Sequence, residues 1–352
     1  MNKRAKPDVY EDENADIGGT EALAHVSTRE NSTGWSQIAK CAMYCALVSL
    51  GYFQYGLDSA SVGGFMAMPG FLKVFGYPAP KLPAKYGINA GLQTAITSML
   101  QVGIITGSFM LGYVGDKFGR RYSFLFAAGI PFIGNTILIV ATNQGAIIFG
   151  RIVFGIANGL FVGIPSVYIV EVTLPHMRTS IATFMPLAST PGATIGSIID
   201  NSTKKDLTRL CYQIPLAIVY IIPVLFCIIP FIIPETPRWL VLKARIEDAR
   251  KSLRQLRGHT IPLDLIEAEL RTITQAVEEE RQITGGKNSR YMQLLTNAER
   301  RGTLLTIAVQ VFHSAAGYSF LTTYLTYFFQ IAGVSQHFYL PLSTTASLWV
   351  RS

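Results

Sequence analysis

The succession of long apolar runs and short breaks constrains this chain more than any single motif. Apolar segments fall near 38–66, 90–114, 122–142, 146–170, 179–199, 212–233 and 303–330, and another begins near 338. Several reach the roughly 20 apolar residues that an α-helix needs to cross a bilayer. Charged residues make up only 15% of the 352 residues and hydrophobic ones 49%, where a soluble domain carries about 25% charged residues. So few charges cannot cover an ordinary globular surface. The expected class is an all-α, multi-pass integral membrane protein. The net charge of +8 then reads as basic loops on the cytoplasmic side, and no nucleic-acid partner is expected.

The loops orient the spans. Lys117, Arg120 and Arg121 lie between the second and third runs, Arg178 between the fourth and fifth, and a dense basic stretch follows the sixth. The Thr142–Gly145 loop has no charge. Basic loops stay inside, which makes the N-terminus cytoplasmic; the plasma membrane is the expected location. Lys73, Lys81 and Lys85 run against the rule in an outer loop, as do Lys204, Lys205 and Arg209, with Asp200 and Asp206 read as outer-loop charges offsetting the latter. Asn201-Ser202-Thr203 is then an outer glycosylation acceptor.

The chain divides accordingly. Residues 1–36 form a polar, disordered cytoplasmic tail with no cleavable signal, and residues 37–235 a six-helix bundle. Residues 236–300 form an insert of short surface helices with thin apolar stripes at Ala249, Leu253 and Leu256 and at Leu263, Ile266 and Leu270. Residues 301–352 hold a seventh span and the start of an eighth. Cys41, Cys45, Cys211 and Cys227 lack the His or Cys partners of a metal set and read as small core hydrophobes, so neither metal nor cofactor is expected. There is no phosphate-binding loop to support ATP-driven transport. No catalytic Ser/His/Asp order stands at usable spacing, so no enzyme is expected.

One charge stands out. GYFQYGLDSASVGG (Gly51–Gly64) places Asp58 among glycines and small residues past the middle of the first run. Arg151 begins the fourth run just after the outer Thr142–Gly145 loop. Both can reach the outer half of the first bundle. A membrane-buried acid and base pair with each other or face a water-filled cavity, because unpaired burial is expensive. A static structural pair, or an Asp58 at the aqueous end of its helix, is the alternative.

Four motifs carry a family resemblance. GYVGDKFGRR (Gly112–Arg121) resembles the inner-loop motif of the major facilitator superfamily. GRIVFGIANG (Gly150–Gly159), the Tyr168…Glu171…Arg178 series and PETPRWL (Pro234–Leu240) resemble the signatures of its sugar porter family. The wording of the first and seventh spans is most similar to fungal sugar permeases. The resemblance runs from about residue 38 to the end. It implies an MFS-type bundle: a complete six-helix N-terminal half, cytoplasmic helices and a partial C-terminal half, about seven to eight of twelve spans in all.

The resemblance also implies a function, the secondary transport of a sugar by alternating access. Asp58 would take a proton and Arg151 would tune its affinity, giving proton symport, with facilitated diffusion as the alternative. Gly112, Asp116, Gly119, Arg120, Arg121, Glu171, Arg178, Glu235 and Arg238 would form a cytoplasmic gate, whose charges close the inner mouth as an ion-pair lattice. The plainer reading of its cations is the positive-inside rule alone. The seventh span should bind the sugar. The family's paired glutamines are replaced here by His313 and Ser314, its glycine stays as Gly317, its asparagine becomes Ser319, and Tyr324 keeps an aromatic hydroxyl. The glutamine expected on the fifth span falls at Pro186. These departures widen the expected substrate to a sugar or related polyol. Two other readings are a transporter-like sugar sensor and a truncated, non-transporting fragment, since the chain stops at Ser352 part-way into an eighth apolar segment.

Overall fold

In hydrocarbon every backbone N–H and C=O must find its partner within the protein, which leaves helices as the economical way to use long apolar runs. The computed structural model describes residues 35–79, 86–173, 177–203, 208–258, 262–284 and 300–317. In order these are α1 (Trp35–Phe65), α2 (Pro69–Phe75), β1 (Tyr77–Pro78), β2 (Tyr86–Gly87), α3 (Ala90–Val140), α4 (Gln144–Val172), α5 (Arg178–Leu187), α6 (Ser189–Thr203), α7 (Leu210–Ile218), α8 (Ile221–Ile232), α9 (Pro237–Leu242), α10 (Ile246–Arg257), α11 (Leu263–Thr284) and α12 (Arg300–Ala315). Helix α3, helix α4 and the α7–α8 stretch Leu210–Ile232 are long and apolar enough to cross a membrane. The two short strands pair antiparallel, Tyr77 opposite Gly87.

Helix boundaries depart from the expected spans in ways that proline and glycine explain. The second and third runs, expected as two spans with a turn between them, are two helices within the stretch numbered α3 that meet at the turn, at Gly119 (φ 85°, ψ 172°). That left-handed φ suits glycine, which has no Cβ to clash. The fifth run divides between α5 and α6. Pro191 has no N–H to offer the Leu187 carbonyl, and its ring crowds that turn. Pro223 has the same relation to Val219, where α7 gives way to α8. Helix α12 stops at Ala315, and Gly317 follows with φ 77°, so the described part of the expected seventh span ends in a glycine turn.

Helix α3 packs chiefly on α4, and α1 on α6. Small residues allow this closeness: a Cβ on Gly103 would sit 2.8 Å from the Gly155 Cα, which brings the two backbones nearly into contact. Three buried clusters result. One, around Phe65, Phe71, Phe154 and Tyr212, lies toward the end capped by α2. A second joins Val48, Phe124, Phe161, Tyr168 and Phe226 nearer the other end. The third binds α9, α10 and α11 through Trp239, Leu240, Leu253, Ile266 and Leu270. Ala249, Leu253, Leu256, Ile266 and Leu270 are all buried, but Leu263, expected in the same stripe, is exposed in the first turn of α11. Cys41, Cys45 and Cys211 are buried, and no disulfide joins the four cysteines.

Candidate functional site

Two polar clusters stand out from this apolar interior. The first joins α1 and α4. Arg151 Nη1 donates to Asp58 Oδ1 at 3.0 Å and Nη2 to Oδ2 at 3.5 Å, while Asn158 Nδ2 donates to Asp58 Oδ2 at 3.1 Å. Asp58 is 2% exposed, and Arg151 and Asn158 are 0% exposed, so the carboxylate meets the protein and not solvent. Helix geometry brings this about. Arg151, Phe154 and Asn158 share one face of α4, at spacings of three and seven residues. Gln54, Asp58 and Ser61 share a face of α1 in the same way. The Arg151 guanidinium also lies over the Phe154 ring, 6.0 Å from its centroid.

The cluster is not saturated. Both amide atoms of Gln54, Ser61 Oγ, Arg151 Nε and Asn158 Oδ1 are buried without a hydrogen-bond partner among the described residues. Buried polar atoms in that condition are costly and stand ready for water, a proton-linked rearrangement or a polar ligand. Neither Asn158 nor Gln54 carries a charge that marks it within its apolar run, although the seven-residue spacing from Arg151 places Asn158 on the same face of α4.

The second cluster sits where the Gly119 break meets the end of α8. Glu235 accepts backbone N–H bonds from Arg120 (2.8 Å), Arg121 (3.2 Å) and Thr236 (3.1 Å). The carboxylate thus caps the helix that restarts after Gly119. A Cβ at Gly119 would fall on the Glu235 carboxylate and 3.3 Å from the Trp239 ring, so glycine is required there for space as well as conformation. Arg120 spans the cluster, bonding Glu171 Oε1 at 2.8 Å and the Gly115 carbonyl at 3.0 Å, with Asp116 at 3.6 Å. Trp239 Nε1 donates to the Asp116 carbonyl and Tyr168 Oη to the Pro234 carbonyl. Ser252 Oγ donates to the Glu235 carbonyl. Arg257 Nη1 reaches the Val172 carbonyl at the end of α4 at 3.1 Å while its Nη2 pairs with Glu269 at 2.6 Å. The cluster therefore ties α3, α4, α9, α10 and α11 together. Burial pushes the Glu235 carboxyl above the ordinary glutamate range, opposed by its bonds to the Thr236, Arg120 and Arg121 N–H groups.

Other expected gate residues lie elsewhere. Gly112 is exposed on α3. The Arg121 side chain bonds the Pro230 carbonyl through Nε and no carboxylate among the described residues. Arg238, expected beside Glu235, pairs with Glu280 of α11 at 2.6 Å, because α9 turns it outward. Arg178 is exposed at the start of α5, with no ion pair among the described residues. Of the expected substrate residues, His313 and Ser314 fall in α12 and Gly317 just past it, with Ser314 exposed; Ser319 and Tyr324 lie outside the described residues. These residues and Asp58 are not brought together among the described contacts.

Asp200 corrects a sequence expectation. Expected as an outer-loop charge, it lies in the last turn of α6, fully buried against Gly64 of α1, with neither oxygen partnered among the described residues. The apolar count ended that span one turn early. The Asn201-Ser202-Thr203 acceptor consequently lies on a helix, where the Thr203 hydroxyl bonds the Ile199 carbonyl.

Membrane-length helices in close glycine contact, a buried acid–base pair between α1 and α4 and a capped break in α3 define a multi-pass membrane protein of the major facilitator type. Residues 44–351 match the family described as Sugar (and other) transporter, and the chain belongs to that family. It is 30% identical over 308 residues to the alpha-glucosides permease MPH3 of Saccharomyces cerevisiae, covering 86% of this chain and 51% of the relative. It is 28% identical over 313 residues to the low-affinity glucose transporter HXT1 of the same yeast, covering 87% and 54%. The chain spans about half the length of these curated relatives. Among solved structures, the fold is similar to the partially occluded, inward-open xylose transporter XylE of E. coli. That match has a TM-score of 0.67 at 19% identity and covers 87% of this chain and 71% of that one. The proton:xylose symporter XylE bound to 6-bromo-6-deoxy-D-glucose gives 0.61 at 23% identity, covering 71% and 55%.

Proposed function

We propose that this chain is the first half and part of the second of a secondary transporter that moves a sugar or related polyol by alternating access, coupled to protons. The observation that carries the reading is the Asp58–Arg151–Asn158 cluster, an acid buried in a spanning helix and held by one cation and one amide. Its family membership and relatives named as permeases and glucose transporters support the substrate class. Asp58 holds the proton. When Asp58 is ionised, Arg151 binds it and draws α1 to α4. When Asp58 is protonated, the ion pair loses its Coulombic term, and the buried guanidinium must find other acceptors, with the Gln54 carbonyl oxygen on the same face of α1. That exchange lets α1 shift against α4 and opens the site.

The Glu235 cluster serves as the cytoplasmic latch, with Asp116, Arg120 and Glu171 in it and the Arg121 main chain bonded to Glu235, while Arg178 and Arg238 lie outside it. Its attachment to α9–α11 supports placing this end in the cytoplasm, with the N-terminus, in the plasma membrane. Residues 37–235 then act as one bundle, 236–300 as the insert beneath it and 301–352 as the opening of the second bundle, with His313, Ser314, Gly317, Ser319 and Tyr324 assigned to sugar binding on the family resemblance. The test is uptake of labelled glucose, maltose, xylose and sorbitol in yeast lacking its own transporters. Uptake of one of these, stimulated by an inward proton gradient, is expected. Uptake insensitive to that gradient would mean facilitated diffusion. No uptake, with sugar still bound by the purified chain, would fit a sensor or an incomplete carrier.

A further inference from the structure

At the end that carries α9–α11, helices α1, α3, α8 and α10 leave a cavity of about 490 Å³. Its polar side is formed by Lys40, Tyr44, Arg121 and Gln255, its apolar side chiefly by Phe231 and Ile232, and no carboxylate among the described residues lines it. Elsewhere at this end Arg120, Arg238, Arg245, Arg250 and Arg257 each have a carboxylate within ion-pair distance. Lys40 and Arg121 have none among the described residues. The Arg121 side chain is nonetheless anchored, because its Nε bonds the Pro230 carbonyl, which leaves the terminal amines to face an anion. Phe231 is 76% exposed and Ile232 47%, and both continue the apolar surface of α8. The cavity therefore presents two cations, a phenol and an amide at the head, with a greasy wall beside them.

We propose that this cavity binds the phosphate headgroup of an anionic phospholipid, with the acyl chains lying along Phe231 and Ile232. Free phosphate shares the headgroup chemistry, but the exposed apolar wall has a use only for a lipid. The inference rests on the reading that this end is cytoplasmic, where anionic lipids concentrate and attract basic groups. It also has a consequence for the latch. The backbone N–H of Arg121 bonds Glu235, so a lipid phosphate on the Arg121 side chain steadies the Gly119 break from the membrane side.

The test needs no transport. The purified full chain in mild detergent is offered phosphatidylinositol, phosphatidylserine or phosphatidylcholine, and retained lipid is counted by native mass spectrometry. Phosphatidylinositol and phosphatidylserine should be retained and phosphatidylcholine lost. Lys40→Gln should lower occupancy about five-fold, one surface cation's share of the attraction, and Lys40→Glu should lower it further. Lys251→Gln, on the exposed face of α10, should leave it unchanged. Equal retention of phosphatidylcholine, or equal occupancy in Lys40→Gln and wild type, overturns the proposal. So does displacement of the lipid by millimolar inorganic phosphate, which would mark a site for a free anion. A failure here leaves the transport reading standing, and a chain that transports nothing can still bind the lipid.

Discussion

The two polar clusters hold their carboxylates by opposite means. Asp58 is held by side chains, a guanidinium and an amide projecting from α4. Glu235 is held by main-chain N–H groups that the Gly119 break exposes. Side chains swing between rotamers without disturbing a helix, whereas backbone donors move only if the chain refolds. The first cluster is built to exchange partners and the second to keep them. Under the proposed coupling, a proton arriving at Asp58 loosens α1 from α4 while the α9–α11 end stays tied.

The largest test of that contrast is removal of one partner from each cluster. Arg151→Met leaves Asp58 buried without its cation and should cost about 3–5 kcal/mol of stability in detergent. The double variant Asp58→Asn/Arg151→Met should recover most of that loss, read by thermal or denaturant unfolding. A double variant as unstable as Arg151→Met would show that the helices, and not the charge, needed the arginine. Gly119→Ala follows, at on the order of 3 kcal/mol, because it forces an L-residue to a left-handed φ and drives a methyl into the Glu235 carboxylate.

Glu235 itself sharpens the comparison. Glu235→Ala strands the Arg120 and Arg121 N–H groups and should cost about 2 kcal/mol, while Glu235→Gln, whose carbonyl oxygen still accepts them, should cost under about 1 kcal/mol. The pH dependence has a definite sign. Burial raises the folded carboxyl above its unfolded value of 4.5, so its contribution to stability is present below that value and is lost as pH rises through the higher folded one. Wild type should lose stability relative to Glu235→Gln as pH rises above 4.5; melting curves that stay parallel with rising pH would contradict the raised carboxyl. The smallest effect belongs to Asp200→Asn, expected to stabilise by at most about 1 kcal/mol, because it replaces a buried carboxyl that has no hydrogen-bond partner among the described residues by a neutral group of the same shape.

Much of this was legible in residue order. Charges inside apolar runs are conspicuous, so Asp58 and Arg151 could be named, and opposite ends of two antiparallel spans put them at one depth. The helical class and the family followed from run lengths and motifs. What was hidden depended on the backbone. Nothing in GYVGDKFGRR announces that Gly119 will turn two N–H groups toward a glutamate more than a hundred residues away. The motif's arginines suggested ion pairs for Glu235, but its partners are main-chain. Asp200 was hidden because hydropathy counting ends a span at its first charge, whereas α6 continues to Thr203. Asn158 was overlooked because an uncharged amide scarcely disturbs an apolar average, although it bonds the same carboxylate as Arg151.

Coupling at Asp58 can be measured directly. With the chain reconstituted in vesicles, sugar-induced proton uptake and sugar accumulation are recorded for wild type and Asp58→Asn. The account predicts that wild type shows both, and that Asp58→Asn loses both while still equilibrating labelled sugar down its gradient. An Asp58→Asn chain that still accumulates sugar against its gradient at the expense of protons would contradict it.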